Sequence, residues 1–433
     1  MNYNQINSFL SFGYVPQVST KFLEPIMEDI GYFKSLKKFH SKKSESYLIK
    51  QGINLLNNIV KSHLIQYKNI EKHLLPLSGG LDSRLILAVL LNHIESKDII
   101  ALTYGVNGAL DYEIPKLITS KYKVEHKLNN LEELTIKETD LEFSLKSGAT
   151  NIELVTAFYN KRWLKELDGN RLLWSGFLGG ELAGSHFQQN MLTMNWADSL
   201  EYFINANTWV RKDNNMLTDK NFEITTVLPN KSLITDPKLL SYGEQLDFSV
   251  RQSSWIFKAV CAENDKNISP FIHPDWIRFM ISLPPEYRYN CRLYRNIAYN
   301  YNSDLFSIIT KTIPGGYIKK PFAVKIKHLR DYFWSARQKI KKNLGCNRHA
   351  FVLKRPAAIT NNNLNYLDFS EAFKERADFI NLAEINLREL DRSGATPWLN
   401  ASNVLNKHLN GLENYSQELL LLLSLNIHLK KCY

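Results

Sequence analysis

Three apolar runs in the first half of the chain end in glycine, and segments with helical spacing separate them. The runs are residues 73–79, 99–105 and 172–176, and the helical segments are residues 83–94, 112–121 and 155–167. This alternation predicts an α/β fold with a parallel sheet and right-handed crossovers. Ligands of such sheets bind beyond the carboxyl ends of the strands, where the three glycines are expected to lie.

The rest of the chain is predicted to be mostly helical. Helical spacing covers residues 46–70, and the pattern is largely helical from about residue 190 to a final amphipathic helix from about Leu412 to Leu429. We therefore expect three parts: an N-terminal segment (1–69), an α/β core (70–315) and a basic, helical C-terminal extension (316–433).

One loop carries most of the candidate chemistry. It is Ser78–Arg84 (SGGLDSR), between a strand that ends near Pro76 and an apolar helix. Its glycines let backbone N–H groups approach an anion, and the next helix adds donors and the positive end of its dipole. Ser78 and Ser83 add hydroxyl donors. Because the carboxylate of Asp82 would repel a phosphate unless a cation lay between them, Asp82 is predicted to bind Mg²⁺. The simpler alternative is a Ser/Gly turn before a helix.

The loop resembles that of a known enzyme family. It is neither GxxxxGK[ST] nor GxGxxG after a strand. The string LSGGLDSR resembles the SGGxDS loop of the ATP pyrophosphatases, and it is most similar to the synthetase domain of the asparagine synthetase family, which includes β-lactam synthetases and lasso-peptide cyclases. The resemblance covers about residues 70–315 and implies a PP-loop ATP pyrophosphatase core that uses ATP and Mg²⁺. The ATP-binding residues that it implies are Leu77, Ser78, Gly79, Gly80, Asp82, Ser83, Thr103, Tyr104, Gly105 and Gly176.

The second apolar run adds a further match to the family. The resemblance implies that Thr103, Tyr104 and Gly105 offer backbone groups to the purine ring, that Asp111 is an acidic site residue, and that His126 begins the next strand. The alternative for Asp111 is a helix N-cap.

The third run leads into a segment with departures from the family pattern. Residues 175–186 resemble SGEGxDExxGGY, but Phe177 stands at the first Glu, which supports adenylation in the family, and Gly180 stands at the metal-binding Asp. Glu181 keeps a carboxylate, so Asp82 and Glu181 are predicted to share a Mg²⁺ ion. The alternative is a degenerate site.

Two cationic residues are predicted to act near the reacting groups. Residues 269–274 resemble the family's R-x-PFLD segment with His273 at the Asp position, and Arg295 in the following run is expected to order the site. Lys311 is expected to neutralise charge on the leaving pyrophosphate, with Lys319 as its rival. The alternative for Arg295 is a surface arginine.

Composition is that of a globular protein, but the positive charge is concentrated in one segment. The chain has 433 residues, of which 44% are hydrophobic and 22% charged, as in globular proteins, and a net charge of +11. Residues 319–355 hold twelve Lys/Arg and one acid, Asp331. This segment favours a polyanionic partner, either a membrane surface or a lipid-linked phosphate. Nucleic acid is disfavoured because no recognised nucleic-acid module accompanies the charge. The alternative is a solvated helix with a basic face.

Cysteine usage and apolar runs indicate the compartment. The four cysteines are scattered without CxxC spacing, no apolar run is long enough to span a membrane, and no secretion signal is visible. We expect a cytoplasmic protein. The basic segment adds the alternative of a peripheral position at the inner face of the membrane.

The family usually begins with a glutaminase domain whose nucleophilic cysteine follows the initiator methionine. Here that position is Asn2, and residues 9–26 resemble the family's inter-domain linker. The resemblance thus implies an AMP- and pyrophosphate-forming amide ligase whose carboxylate substrate is unidentified and whose ammonia or amine comes from elsewhere. Two alternatives stay open, a thiolation or tRNA-type ATP pyrophosphatase and a non-catalytic nucleotide-binding relative.

Overall fold

A computed structural model of the chain describes residues 1–167, 169–209, 216–261, 266–311 and 367–430. Five strands form one sheet in the order β3-β2-β1-β4-β5, and every pair of neighbours is parallel. The strands are β1 (Lys72–Pro76), β2 (Ile99–Gly105), β3 (Glu125–Asn130), β4 (Arg171–Trp174) and β5 (Asn267–Ile268). The predicted α/β class and parallel sheet are confirmed.

The strand order places a crevice beside β1. The chain runs from β1 outward to β2 and β3, and later returns to add β4 and β5 on the other side of β1. Such a reversal opens a crevice at the carboxyl ends of the two strands that flank it. The loops after β1 and β4 therefore meet at this crevice. Pro76 is the last residue of β1, paired with Leu102, where its missing N–H interrupts no further ladder bond.

Helices cover both faces of the sheet and form most of the remaining structure. The first group is α1 (Tyr3–Phe12), α2 (Glu24–Met27), α3 (Ile30–His40), α4 (Glu45–Gln66), α5 (Asp82–Leu91), α6 (Leu110–Tyr122), α7 (Glu138–Lys146) and α8 (Leu154–Lys161). The second is α9 (Gly179–Leu182), α10 (Trp196–Asn207), α11 (Tyr242–Leu246), α12 (Phe257–Val260), α13 (Pro274–Ser282), α14 (Pro285–Arg288), α15 (Arg292–Tyr301) and α16 (Ser303–Phe306). The third is α17 (Phe369–Glu375), α18 (Ala377–Ser393), α19 (Ala401–Leu409) and α20 (Ser416–Lys430).

Short-range signals account for most of these bounds. Helix α4 begins where the Ser44 side chain accepts a hydrogen bond from the Tyr47 N–H. The predicted final helix begins four residues later than expected, because Asn414 bonds the N–H of Ser416 and residues 409–415 turn. A ten-residue π-helix, Asp247–Ile256, joins α11 to α12 and was not predicted. Long π-helices are rare, and short ones occur often at functional sites.

Two large apolar cores hold the molecule. One packs α3, α4, α5, α13 and α15 against the sheet, and the other joins α1 to α8, α18, α19 and α20. Helix α1 contacts α20 directly, so segments from both ends of the sequence share one core. The division into parts at residues 69 and 315 stays a prediction. Residues 319–355, including the rival Lys319, lie outside the described ranges.

Four buried histidines predict an acid-labile fold. Burial lowers the pKa of His40, His73, His126 and His428 to about 4. The unfolded chain binds these protons near pH 6.5 and the folded chain does not, so stability must fall as pH drops from 6.5 toward 4. We expect the melting temperature to fall by more than ~5 °C between pH 7.5 and pH 5 in a pH series of thermal melts. An unchanged melting temperature between pH 7.5 and pH 5 would contradict the lowered pKa values of these histidines.

In the described ranges, none of the helices combines the length and the apolar character that crossing a bilayer requires.

Candidate functional site

The loop after β1 lies at the crevice and is held by its own polar groups. The N–H of Ser78 donates to Ser83 Oγ (3.1 Å), and the N–H of Gly80 donates to Ser78 Oγ (3.2 Å). The N–H of Gly79 donates to Asp111 Oδ1 at 2.8 Å. These three amides are therefore engaged within the protein. The first-turn amides of α5 have no intrahelical acceptors and are the donors that an anion at this loop would meet.

Close backbone approach explains two of the glycines. A Cβ on Gly79 would lie 2.9 Å from the carbonyl oxygen of Leu110, and one on Gly176 would lie 2.9 Å from the amide nitrogen of Ser83. The loop after β1 thus lies against the start of α6 through Gly79 and against the loop after β4 through Gly176, and a larger residue at either glycine would disrupt that contact.

Asp111 fastens the loop to a second segment. It is 2% exposed and lies inside the first turn of α6, whose N-cap is Ala109, so the N-cap alternative does not hold. Its second oxygen forms an ion pair with the ammonium group of Lys311. The backbone N–H of Lys311 donates to the carbonyl of Gly79 at 3.1 Å. The structure therefore places Lys311 beside the loop, with its ammonium group paired to Asp111, and its predicted role at the pyrophosphate stays a prediction.

Arg84 is the part of this arrangement that the sequence analysis missed. Its side chain is fully buried, and its guanidinium donates to the carbonyls of Ile308 (3.0 Å) and Ile309 (2.9 Å) and, more weakly, of Gly79 (3.4 Å). We call residues 308–311 the strap. The SGGLDSR string ends in this arginine, but nothing local shows that its partners are carbonyls more than 220 residues away.

Two carboxylates face each other at the crevice. Burial, and next the charge of Glu181, raise the pKa of Asp82 to about 7. The hydroxyl of Tyr294, from α15, donates to Asp82 Oδ1 at 2.7 Å and favours the charged form. The carboxylate of Glu181 forms no hydrogen bond or ion pair with any described residue. Asp82 and Glu181 are thus brought together as predicted, and Tyr294 is an unpredicted partner.

The structure shows what surrounds the two positions, Phe177 and Gly180, that depart from the family motif. Phe177 is 5% exposed and packs its ring against Phe22 and Phe257 in the apolar core. Gly179 lies so close to Asp82 that a Cβ would come within 2.6 Å of Oδ1, whereas a Cβ on Gly180 would stay 3.4 Å from Oδ2. An acidic side chain at position 180 would therefore face Asp82, but none is present.

A cleft of about 260 Å³ runs from the crevice over the sheet toward α8. Nine predicted residues line it: Leu77, Ser78, Asp82, Ser83, Thr103, Tyr104, Asp111, Gly176 and Glu181. Its deeper part is walled by apolar and aromatic groups, among them Leu102, Trp163 and Leu164. The predicted Gly79, Gly80, Gly105, Arg295 and Lys311 do not line it.

A hydrogen-bond chain fixes one wall of the cleft. Thr103 Oγ1 donates to the carbonyl of Leu77 (2.8 Å) and lies 2.9 Å from His126 Nε2, while His126 Nδ1 lies 2.9 Å from Thr119 Oγ1. Because the Thr103 hydroxyl donates to Leu77, it accepts from the Nε2–H of His126, whose pKa is lowered by burial so that the ring is neutral. The ends of β1 and β2 are therefore held in register by side chains of β3 and α6.

Arg295 and His273 lie apart from this wall. Arg295 follows Tyr294 on α15 and is half-buried, and within the described ranges it has no ion pair. Its closest electrostatic neighbour is Cys291, and burial lowers the pKa of its guanidinium. His273 caps α13 by accepting from the N–H of Asp275 at 3.3 Å.

A histidine–carboxylate pair next to Glu181 also went unpredicted. His186 Nδ1 lies 2.9 Å from Asp247 Oδ2, at the start of the π-helix whose last residue, Ile256, lines the cleft. Asp247 also accepts from Gln252 at 3.2 Å. The pKa of His186 is raised by Asp247, against the effect of burial. No sequence pattern indicated this pair, because His186 and Asp247 are 61 positions apart.

The described part of the chain contains no cluster of three or more His, Cys, Asp or Glu side chains arranged for a metal ion.

The sequence matches no family model and no curated protein.

Proposed function

We propose that this chain is an ATP-dependent amide ligase of the asparagine synthetase type, built on a PP-loop ATP pyrophosphatase core. It would activate a carboxylate with ATP, releasing pyrophosphate, and pass the acyl group to ammonia or an amine, releasing AMP. The observation that carries the proposal is the pairing of Asp82 and Glu181 on adjacent loops of the crevice, with Lys311 fastened behind the first loop.

The chemistry sets what such a site must stabilise. A carboxylate oxygen attacks the α-phosphorus, the bond to the β-phosphate oxygen breaks, and its electron pair leaves with pyrophosphate. An amine nitrogen then attacks the acyl carbon, and AMP departs with the carbon–oxygen bonding pair. Negative charge grows on phosphate oxygens in the first step, so fixed N–H donors at α5 would lower its barrier. Lys311, whose ammonium group pairs with Asp111 behind the loop, would add positive charge only at longer range.

The donor set suits a magnesium ion. Asp82 is buried beside a second carboxylate, which raises its pKa to about 7, and a divalent cation between the two would relieve both the burial and the repulsion. Mg²⁺ held there by Asp82 and Glu181 would neutralise charge on the phosphates. It needs no third protein ligand.

The apolar end of the cleft suits the purine ring. Tyr104, next to last in β2, donates its hydroxyl to Asn160 at 2.9 Å, and Trp163 and Leu164 line the same cleft. Flat aromatic walls with few polar groups are usual in sites for planar ligands. The nucleotide would thus extend from this wall to the loop after β1.

A non-catalytic nucleotide-binding relative is the second candidate. Phe177 is buried where the family has the glutamate that supports adenylation, which favours loss of the first step. The thiolation alternative lacks such support, because burial raises the pKa of the two described cysteines, Cys261 and Cys291, to about 11 and about 12. Thiols held protonated in this way are poor nucleophiles.

The test is the fate of ATP labelled at the α-phosphate. The purified full chain is incubated with Mg²⁺, pooled carboxylates (sugar uronates, aspartate and peptides) and hydroxylamine as the amine. We expect labelled AMP, an equal amount of pyrophosphate, and an acyl hydroxamate. Formation of ADP and phosphate would contradict the proposal, and ATP binding without AMP under any condition would favour the non-catalytic relative.

A further inference from the structure

The outer face of α3 and the start of α4 expose aromatic rings to solvent. The inner face of α3 buries Phe33 and His40 against the neighbouring helix α13. On the outer face, Tyr32 is 52% exposed, Phe39 is 41% exposed and Tyr47 is 44% exposed. Large rings exposed together mark an interaction surface more often than isolated ones do.

These rings form one surface. Tyr32 and Phe39 are seven positions apart on α3 and so lie on the same stripe, about two turns from each other. The rings of Phe39 and Tyr47 meet edge to face, with centroids 6.2 Å apart. The ammonium of Lys43 lies 4.3 Å from the Phe39 centroid and 5.0 Å from the Tyr47 centroid, and so bridges the two helices.

The same surface is strongly basic. Residues 32–50 contain six lysines and one carboxylate, Glu45. Glu45 is occupied by Arg292 (2.5 Å) and Asn296 (2.6 Å), and among the described residues no carboxylate pairs with the exposed Lys34, Lys38 or Lys42. The surface therefore presents uncompensated positive charge around its rings. We call it the α3 surface, with members Tyr32, Lys34, Lys38, Phe39, Lys42, Lys43, Tyr47 and Lys50.

We propose that the α3 surface docks the protein on a bilayer that contains anionic lipids. Aromatic side chains prefer the depth of the lipid headgroups, and a helix that lies along the interface can place such rings there. Each lysine near the membrane gains from the negative surface potential, and its long stem keeps the ammonium among the headgroups. Rings and lysines interleaved on the outer face of a helix meet both requirements at once.

This inference is independent of the proposed function. It uses no residue of the cleft, and it rests on a surface distinct from residues 319–355. A duplex nucleic acid would also attract the lysines, but its phosphates offer nothing to the three rings. The observations therefore favour lipid over nucleic acid, and nucleic-acid binding becomes an outcome to be measured.

The test is co-sedimentation of the full chain with vesicles. Two compositions are compared, phosphatidylcholine alone and phosphatidylcholine with about 30% phosphatidylglycerol, at salt concentrations of about 0.1 M and 0.5 M. We expect binding to the anionic vesicles at low salt and much weaker binding at high salt. Combining Lys38→Ser with Lys42→Ser should weaken binding at least ~10-fold. Combining Phe39→Ser with Tyr47→Ser should remove what binding persists at high salt.

The matched control lies at the other end of α4. Lys61 and Lys68 are equally exposed and lie about 30 Å along the helix axis from Lys43, so replacing both with serine should leave binding unchanged. Unchanged melting temperatures would show that every variant is folded, since all six positions are on the surface. The proposal is overturned if wild-type protein ignores anionic vesicles, if the α3 variants bind as tightly as wild type, or if duplex DNA of equal charge displaces the vesicles.

Discussion

Replacing Asp82 with asparagine is expected to abolish pyrophosphate release, by roughly 10³-fold or more, and to raise the melting temperature of the ligand-free protein. The loss follows because a neutral amide cannot hold a cation between Glu181 and the phosphates. The rise in melting temperature has a different cause, the removal of an unfavourable charge from the folded protein. The folded protein raises the pKa of Asp82 to about 7, so above that pH it holds a buried charge that the unfolded chain carries without cost.

The measurement combines turnover with thermal melts at pH 8 and pH 5. At pH 8 the Asp82→Asn protein should melt roughly 2 °C or more above wild type. At pH 5 the difference should be smaller, because folded Asp82 is then protonated while the unfolded chain still carries the charge, and it should vanish only near the ordinary carboxyl pKa of 3.8. Asparagine still accepts the hydroxyl of Tyr294, which keeps the packing intact. As a matched control, Asp304→Asn on the exposed surface should leave turnover unchanged. Retained turnover in Asp82→Asn would contradict the proposal that Asp82 binds Mg²⁺.

Arg84→Met should destabilise the fold by about 3 kcal/mol and loosen the strap. Methionine fills most of the volume of arginine but leaves the carbonyls of Ile308 and Ile309 buried without donors. Since the strap ends at Lys311, whose N–H holds the carbonyl of Gly79, we also expect nucleotide affinity to fall at least ~10-fold.

Urea denaturation and nucleotide binding test this prediction together. Arg84→Lys keeps the charge but cannot span both carbonyls, so it should lose part of the stability. Arg388→Met provides the control, because Arg388 is exposed on α18 and its one ion pair among the described residues is with Glu384. Wild-type stability in Arg84→Met would show that the buried guanidinium contributes nothing to holding the strap.

The parallel sheet was predictable because its central strands are buried on both faces. Strands β1, β2 and β4 read as unbroken apolar runs, and each ends close to a glycine or proline that breaks the pattern. Strand β3 (EHKLNN) has no such run, since it lies at the edge of the sheet, where two of its six residues are exposed and the other four are half-buried. Only the family resemblance suggested a strand at His126. Strand β5 has two residues, too few for any periodicity.

The site was predictable to the extent that it is local in sequence. The loop from Leu77 to Ser83, its neighbour Gly176 and the strand end at Thr103 lie where motif and strand order placed them. Tyr294, Arg84 and the pair His186–Asp247 act through contacts across 61 to 225 positions, and no spacing rule encodes such contacts. The engagement of the Gly79 amide by Asp111 was missed for the same reason.

Helix α20 is synthesised after α1 and α8 but packs against both, so the cleft wall depends on it. Its Ser424 hydroxyl accepts the N–H of Leu154, the first residue of α8, and its leucines complete the core that α1 begins. Helix α8 in turn carries Asn160 and Lys161 into the cleft. During translation, α1 and α8 must therefore wait with apolar faces uncovered until α20 has emerged from the ribosome, and this wall of the cleft can become rigid only then.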